Sequence, residues 1–198
     1  MLNDRLNRGV AAFNRANVFT LGHTVDLPVG PGKLFLSSIH GWSKQLLAGW
    51  QFSGISTLQS GLPFSPSLSN NSSINADISL RPDVIPGVDP YAVPGGQTRD
   101  HWFNPAAYQI PGPYLFGNAG RDSLRGPWFP SADLSLHKTF VLRENVNVGL
   151  RWDVFNAFNS TRLSNPNGTI DAGANSVGRI TSITAPMRYQ QLGLRIDF

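Results

Sequence analysis

Five stretches of the chain alternate apolar and polar side chains at every second residue. This is the mark of β-strands with one apolar and one polar face. In the last, Leu192, Leu194, Ile196 and Phe198 alternate with Gln191, Gly193, Arg195 and Asp197. Ala132, Leu134, Leu136, Phe140 and Leu142 share a face against Asp133, Ser135, His137 and Thr139. Val146, Val148, Leu150, Trp152 and Val154 alternate with Asn147, Gly149, Arg151 and Asp153. Near the start, Phe19, Leu21, Val25 and Leu27 lie together with His23, opposite Thr20, Gly22, Thr24 and Asp26. Trp50, Phe52 and Leu58 share a face with Gly54 and Ser56, although Ile55 intrudes opposite. The pattern predicts strands near 17–27, 47–60, 131–142, 146–158 and 187–198.

The connections are unequal. After Leu27 a Pro/Gly stretch breaks the strand. Leu36, Ile39, Trp42 and Leu46 then recur at helical spacing, predicting one short helix within Leu36 to Gly49, with Ser37 or Ser38 as N-cap. Residues 61–130 hold eleven of the fifteen prolines and no clear period. A connection that long is functional or disordered far more often than not. Residues 159–186 form a second polar connection, rich in Asn, Gly and Ser. Between the third and fourth strands, matching the apolar faces requires opposed residues of equal parity. The shortest turn that works is Arg143-Glu144-Asn145, pairing Leu142 with Val146, Ser135 with Asp153 and His137 with Arg151.

Only 14% of residues are charged, Lys33, Lys44 and Lys138 are the only lysines and Glu144 the only glutamate. Such a chain has few solvated helix faces. The net charge of +4 is dispersed, which argues against nucleic acid as a partner. The absence of cysteine excludes disulfides, thiolate metal sites and Cys nucleophiles. No apolar run approaches the roughly 18 residues of a membrane helix. Met1 to Arg8 is polar and has no apolar signal segment, so any export signal is expected upstream.

The strand faces allow two architectures. A secreted β-sandwich, such as a carbohydrate-binding module, would bring the apolar faces together. An outer-membrane barrel would turn them to lipid and line a lumen with Asp133, His137, Arg151, Asp153, Arg195 and Asp197. The alternation of long and short connections favours the barrel, as do aromatics near strand ends: Trp50, Phe52, Phe140, Trp152, Phe155, Phe158 and Phe198. Lys138 falls on the apolar face and is expected to snorkel to a headgroup near the periplasmic girdle. Five strands do not close a barrel of the usual kind, which needs about eight or more. Further strands are expected to precede Met1, or to come from other chains in a multichain barrel or adhesin.

Several runs resemble the carboxyl-terminal barrel of TonB-dependent outer-membrane receptors, in the Oar-like branch. They are Leu47 to Ile55 with Gln59 to Phe64, Arg81-Pro82-Asp83-Val84, and Trp102 to Tyr108. Phe116 to Arg121 with Leu124 to Pro127, and Val154 to Asn159, complete the series. The resemblance implies an all-β, antiparallel segment supplying about the last five strands of a 22-stranded barrel. Residues 61–130 and 159–186 would be extracellular loops, and the short helix periplasmic. The implied function is energy-coupled uptake of a substrate. The implied partners are the outer-membrane bilayer, the upstream barrel and plug, and the barrel-assembly machinery, which would read Leu192, Leu194, Ile196 and Phe198. TonB itself would be reached only through an amino-terminal part that these residues do not contain.

Candidate chemistry is sparse. His23, His40, His101 and His137 show no metal-ligand spacing. Asp77, Asp83 and Asp89 recur every six residues, but such aspartates more often serve loop turns than calcium. Asn165 to Asn175 lacks the spaced carboxylates of a calcium loop. No nucleophile elbow surrounds any Ser, so neither an enzyme nor a cofactor is expected. Trp102, Phe103, Tyr108 and Tyr114 are candidate ligand contacts in the long loop, against the alternative that they staple the loop to itself.

Overall fold

The computed structural model describes residues 4–69, 80–143 and 146–198. Alternation becomes strand wherever it was read. In chain order the elements are β1 (Val18–Asp26), α1 (Gly41–Leu47), β2 (Trp50–Gln59), β3 (Pro63–Phe64) and β4 (Asp83–Val84). They continue with β5 (Tyr108–Gln109), β6 (Leu124–Arg125), β7 (Phe129–Arg143), β8 (Val146–Phe155) and β9 (Tyr189–Asp197). Single 3-10 turns lie at Asp4–Asn7 and Pro105–Ala107. Among the described residues no helix is long and apolar enough to cross a membrane.

The chain divides into two compact units. The strand unit comprises Val18–Leu58, Pro130–Thr161 and Ala185–Phe198. Its sheet has the order β1-β2-β7-β8-β9, so the long strands neighbour one another in chain order, and the sheet does not close on itself. β7 and β8 pair in the expected register, with Ser135 opposite Asp153 and His137 opposite Arg151. The register shifts only at the end, where Arg143 rather than Leu142 meets Val146 across a bulge. Glu144 and Asn145 of the expected three-residue turn lie outside the described residues. β9 pairs β8 with Trp152 opposite Leu192, Leu150 opposite Leu194 and Val148 opposite Ile196.

This register gives the sheet one continuous apolar face, and that face is bare. Leu192 is 73% exposed, Leu194 69% and Phe198 99%. Phe19, Leu21 and Leu142 are likewise exposed. The β-sandwich expectation, in which these faces meet in a closed core, is thereby overturned.

α1 is shorter than expected and starts later. His40, not Ser37 or Ser38, holds the N-cap position, and its side chain makes no capping bond. Leu36 and Gly41 both have positive φ, 53° and 63°, so the helix period is broken before Gly41. Lys138 also departs from expectation. It is only 2% exposed, its ammonium donating to the Ala48 carbonyl at the end of α1. The ring centroids of Phe140 and Trp50 stand 5.0 and 5.9 Å from its Nζ. The connection that carries α1 folds over this lysine, so it does not reach out to a headgroup.

The loop unit comprises Met1–Asn17, Gln59–Phe129 and Arg162–Thr184. Within it β3 pairs β6 and β4 pairs β5, both antiparallel. Phe64, Phe103, Ala107, Tyr108, Ala119, Leu124 and Val177 form its core. A connection without period is therefore folded around a core of its own.

Candidate functional site

The charged face of the sheet is assembled row by row from the register. Arg151 lies across from His137 on β7 and Gly193 on β9, and Arg195 across from Gly149. Each guanidinium turns along its own strand: Arg151 Nε donates to Asp153 Oδ1 at 2.8 Å, and Arg195 Nε to Asp197 Oδ1 at 2.8 Å. The ion pairs thus run along strands and do not link them as a ladder. With the arginine side chains 62% and 81% exposed, each pair is worth about 0–1 kcal/mol. They orient charge more than they hold the sheet. A glycine lies opposite each arginine, Gly193 across from Arg151 and Gly149 across from Arg195. A Cβ at Gly149 would lie 3.5 Å from His137 Nε2 and 3.8 Å from Arg195 Cβ.

Two open cavities lie along these rows. One of about 540 Å³ is lined in part by Thr24, Ser53, Asp133, Ser135, Arg151 and Asp153. The other, of about 490 Å³, is lined by His137, Thr139, Gly149, Arg151, Arg195 and Asp197 among others. Guanidinium donors beside paired carboxylates make a wet wall able to hydrogen-bond a polar surface.

Asp133 has a different task. Its Oδ1 accepts the Asn156 backbone N–H at 2.8 Å, which fixes the end of β8. Asn156 is 3% exposed and has φ 51°. Its amide accepts from Ser160 N–H at 2.9 Å and donates to the carbonyls of Ser160 and Pro186 at 3.1 and 3.3 Å. Asn159, also at φ 51°, accepts from Arg188 N–H at 3.0 Å. The Val154–Asn159 run is therefore a strand-end joint, made from asparagines that tolerate left-handed backbone. The resemblance picks out these asparagines without giving them a role; the signal in the sequence is two asparagines, Asn156 and Asn159, just after a strand.

The aromatics divide. Trp50 and Phe140 gather at Lys138, as above. Phe155 instead stacks on Tyr189, centroids 4.6 Å apart, on the charged face, so it is not part of a lipid-facing girdle. Phe52 pairs with His23 at 5.2 Å. Trp152 Nε1 donates to Gln190 Oε1 at 3.0 Å, satisfying the one polar residue on the apolar side of β9.

In the loop unit, Phe103 is 1% and Tyr108 8% exposed. Both belong to the core, which corrects their candidacy as ligand contacts. Burial pushes the Tyr108 hydroxyl up to about 12; the nearby Tyr91 adds to the shift, and a hydrogen bond with Ser123 opposes it. Trp102 packs on the same core and donates through Nε1 to the Arg125 carbonyl at 2.8 Å. Tyr114 is 81% exposed, beside exposed Leu115 and Phe116.

The remaining quoted runs are joints of this unit. Arg81 donates to the carbonyls of Leu6 and Ala119 and to Asn7 Oδ1. Asp83 and Asn118 exchange side-chain to backbone bonds: Asn118 N–H to Asp83 Oδ1, and Val84 N–H to Asn118 Oδ1. Asn104 caps the Pro105–Ala107 turn by accepting from Ala106 N–H. Arg125 donates to the carbonyls of Gly61 and Asn14. A Cβ at Gly61 would collide with the Gly126 carbonyl, so the chain needs glycine there. Of the aspartates at six-residue spacing, Asp83 serves Asn118 and Asp89 accepts from Tyr91 N–H. Asp77 lies outside the described residues.

An all-β sheet with one bare apolar face and one charged face is the wall of a membrane barrel. A family model described as an outer membrane beta barrel domain matches residues 1–191, and the chain belongs to that family. The outer membrane is accordingly its location. Neither the curated proteins nor the solved structures yield a match to the chain.

Proposed function

We propose that the chain supplies strands to the barrel of a TonB-dependent transporter, for energy-coupled uptake of a substrate across the outer membrane. The observation that carries this reading is the division of the sheet. Leu192, Leu194 and Ile196 are bare on one side, while Arg151, Asp153, Arg195 and Asp197 line the other. A charged wall of this kind suits a lumen filled by a polar plug, which the exposed guanidiniums would touch. The runs resembling TonB-dependent receptors support the finer assignment, because nearly all of them form joints of the loop unit or the β8 end. In this reading the assembly machinery reads β9 through Phe198. TonB acts through the plug-bearing part of the full-length protein.

The test is genetic and biochemical. Deleting the gene should abolish growth on one limiting nutrient, and deleting TonB in the same strain should reproduce that loss. The full-length protein should run as a monomeric, heat-modifiable outer-membrane band. A nutrient phenotype indifferent to TonB would refute transport of this kind. A discrete oligomer whose barrel needs several copies would replace it with a multichain barrel.

A further inference from the structure

The connection between β1 and β2 presents an apolar surface that the sheet does not use. Leu34 is 84% exposed and Trp42 77%, with Phe35, Leu36, Leu46 and Leu47 also about half exposed or more. No buried residue lies in α1. For an ordinary solvated connection this concentration of large apolar groups is unfavourable.

Three observations say what covers it. The first is position. α1 is fixed to the end of β7: Gln45 Nε2 donates to the Val141 carbonyl at 3.1 Å, and Lys138 donates to the Ala48 carbonyl. Trp42 and Leu46 line a cavity together with Phe140, which lies opposite Val148 on the apolar side of the sheet. The exposed groups of α1 are therefore continuous with the apolar face of the sheet. The second is charge. Residues 27–76 contain no Asp or Glu, and the segment carries two of the three lysines, Lys33 and Lys44. The third is Lys138 itself. Its ammonium is taken up by a carbonyl and two ring faces, so a cation set within the apolar face is screened where α1 covers it.

We propose that residues 33–47 form an interfacial anchor, seated in the phospholipid leaflet at the periplasmic side of the outer membrane. Leu34, Phe35, Trp42 and Leu46 enter the acyl boundary, and Lys33 and Lys44 meet anionic headgroups. Tryptophan at the level of the headgroups is the usual membrane anchor. The anchor extends the lipid-facing surface of the barrel beyond its strands. It rests on the barrel reading, and the experiment separates the two.

The chain has no cysteine, so single cysteines can be placed at chosen positions of the full-length protein, after replacing any elsewhere. Trp42→Cys, Leu46→Cys, Leu194→Cys and Ala92→Cys variants would carry an environment-sensitive fluorophore in phosphatidylethanolamine–phosphatidylglycerol vesicles. Separate vesicle samples would carry a shallow nitroxide quencher, read at positions 42, 46 and 92, and a deep one, read at position 194. Probes at 42 and 46 should be quenched about twofold or more beyond the Ala92 control, and Lys44→Gln should weaken this in anionic vesicles. If position 194 is quenched while 42 and 46 match Ala92, the anchor is refuted and the barrel stands. If position 194 is also unquenched, the membrane face of β9 is refuted, and the anchor with it.

Discussion

At the scale of single residues, buried polar side chains decide more than the exposed charges do. Asn156→Ala removes three side-chain bonds at a buried, left-handed position. We expect a loss of roughly 2–4 kcal/mol, read from urea unfolding of the folded barrel, with Asn156→Gly restoring only the backbone part. Lys138 offers a second test. Lys138→Met keeps most of the volume under α1 and removes the charge, so it should cost less than Lys138→Ala, which leaves a void. Lys138→Glu should be the worst of the three, since it turns an anion towards a carbonyl and two ring faces. The same unfolding measurement ranks them.

Tyr108 gives a pH signature. Its hydroxyl holds its proton up to about 12 in the folded unit, against about 10 when unfolded. The folded state binds the proton more tightly, so its stabilisation is complete below pH 10 and is lost as pH rises towards 12. The loss amounts to about 3 kcal/mol. Tyr108→Phe should flatten this fall, and spectrophotometric titration of the folded protein should show a late ionisation that the substitution removes.

At the scale of elements, alternation was legible and interlocking was not. A strand writes its face into every second residue, so all five long strands, and the β7–β8 register over most of its length, followed from parity alone. The bulge near Leu142 escaped because nothing in parity marks where pairing slips by one. The helix began late because Leu36 and Gly41 take left-handed backbone, which hydrophobic spacing does not report. The loop unit was the largest gap. Its bonds join residues far apart in the chain, such as Ser69 to Asp171 and Arg125 to Asn14. Composition reads such a stretch as structureless, because proline and serine say nothing about distant partners. Phe103 and Tyr108 were ambiguous for the same reason, since an aromatic in a loop serves equally as staple or as contact. Gly61→Ala tests the staple reading: the added methyl collides with the Gly126 carbonyl. The loop unit should then become sensitive to external protease while the strands remain protected.

At the scale of the whole molecule, the two faces of β9 predict opposite tolerances. Leu194→Arg places a cation on the bare apolar face and should cost roughly 2–4 kcal/mol of barrel stability near the bilayer midplane. Gln191→Arg, on the other face, should be close to neutral. Guanidine unfolding from lipid vesicles measures both, and equal effects would remove the distinction between lipid and lumen. That Arg151, Asp153, Arg195 and Asp197 share one face of the sheet was legible because charge sits at alternate positions. The direction of their pairing was not, because alternation puts each arginine and its aspartate on one face without saying whether the guanidinium turns along its strand or across to the next.

The loop unit is built from three separated stretches, residues 1–17, 59–129 and 162–184. Its core stays unfinished until the segment after β8 is in place, because Val177 and Ile180 come from the last stretch. Transplanting its surface onto another barrel therefore demands three coordinated grafts, and a recombination crossover inside any one of the stretches should yield a chimera without a core there. Substitutions at exposed positions such as Tyr114 and its neighbours, by contrast, should be tolerated one at a time without disturbing the stitching.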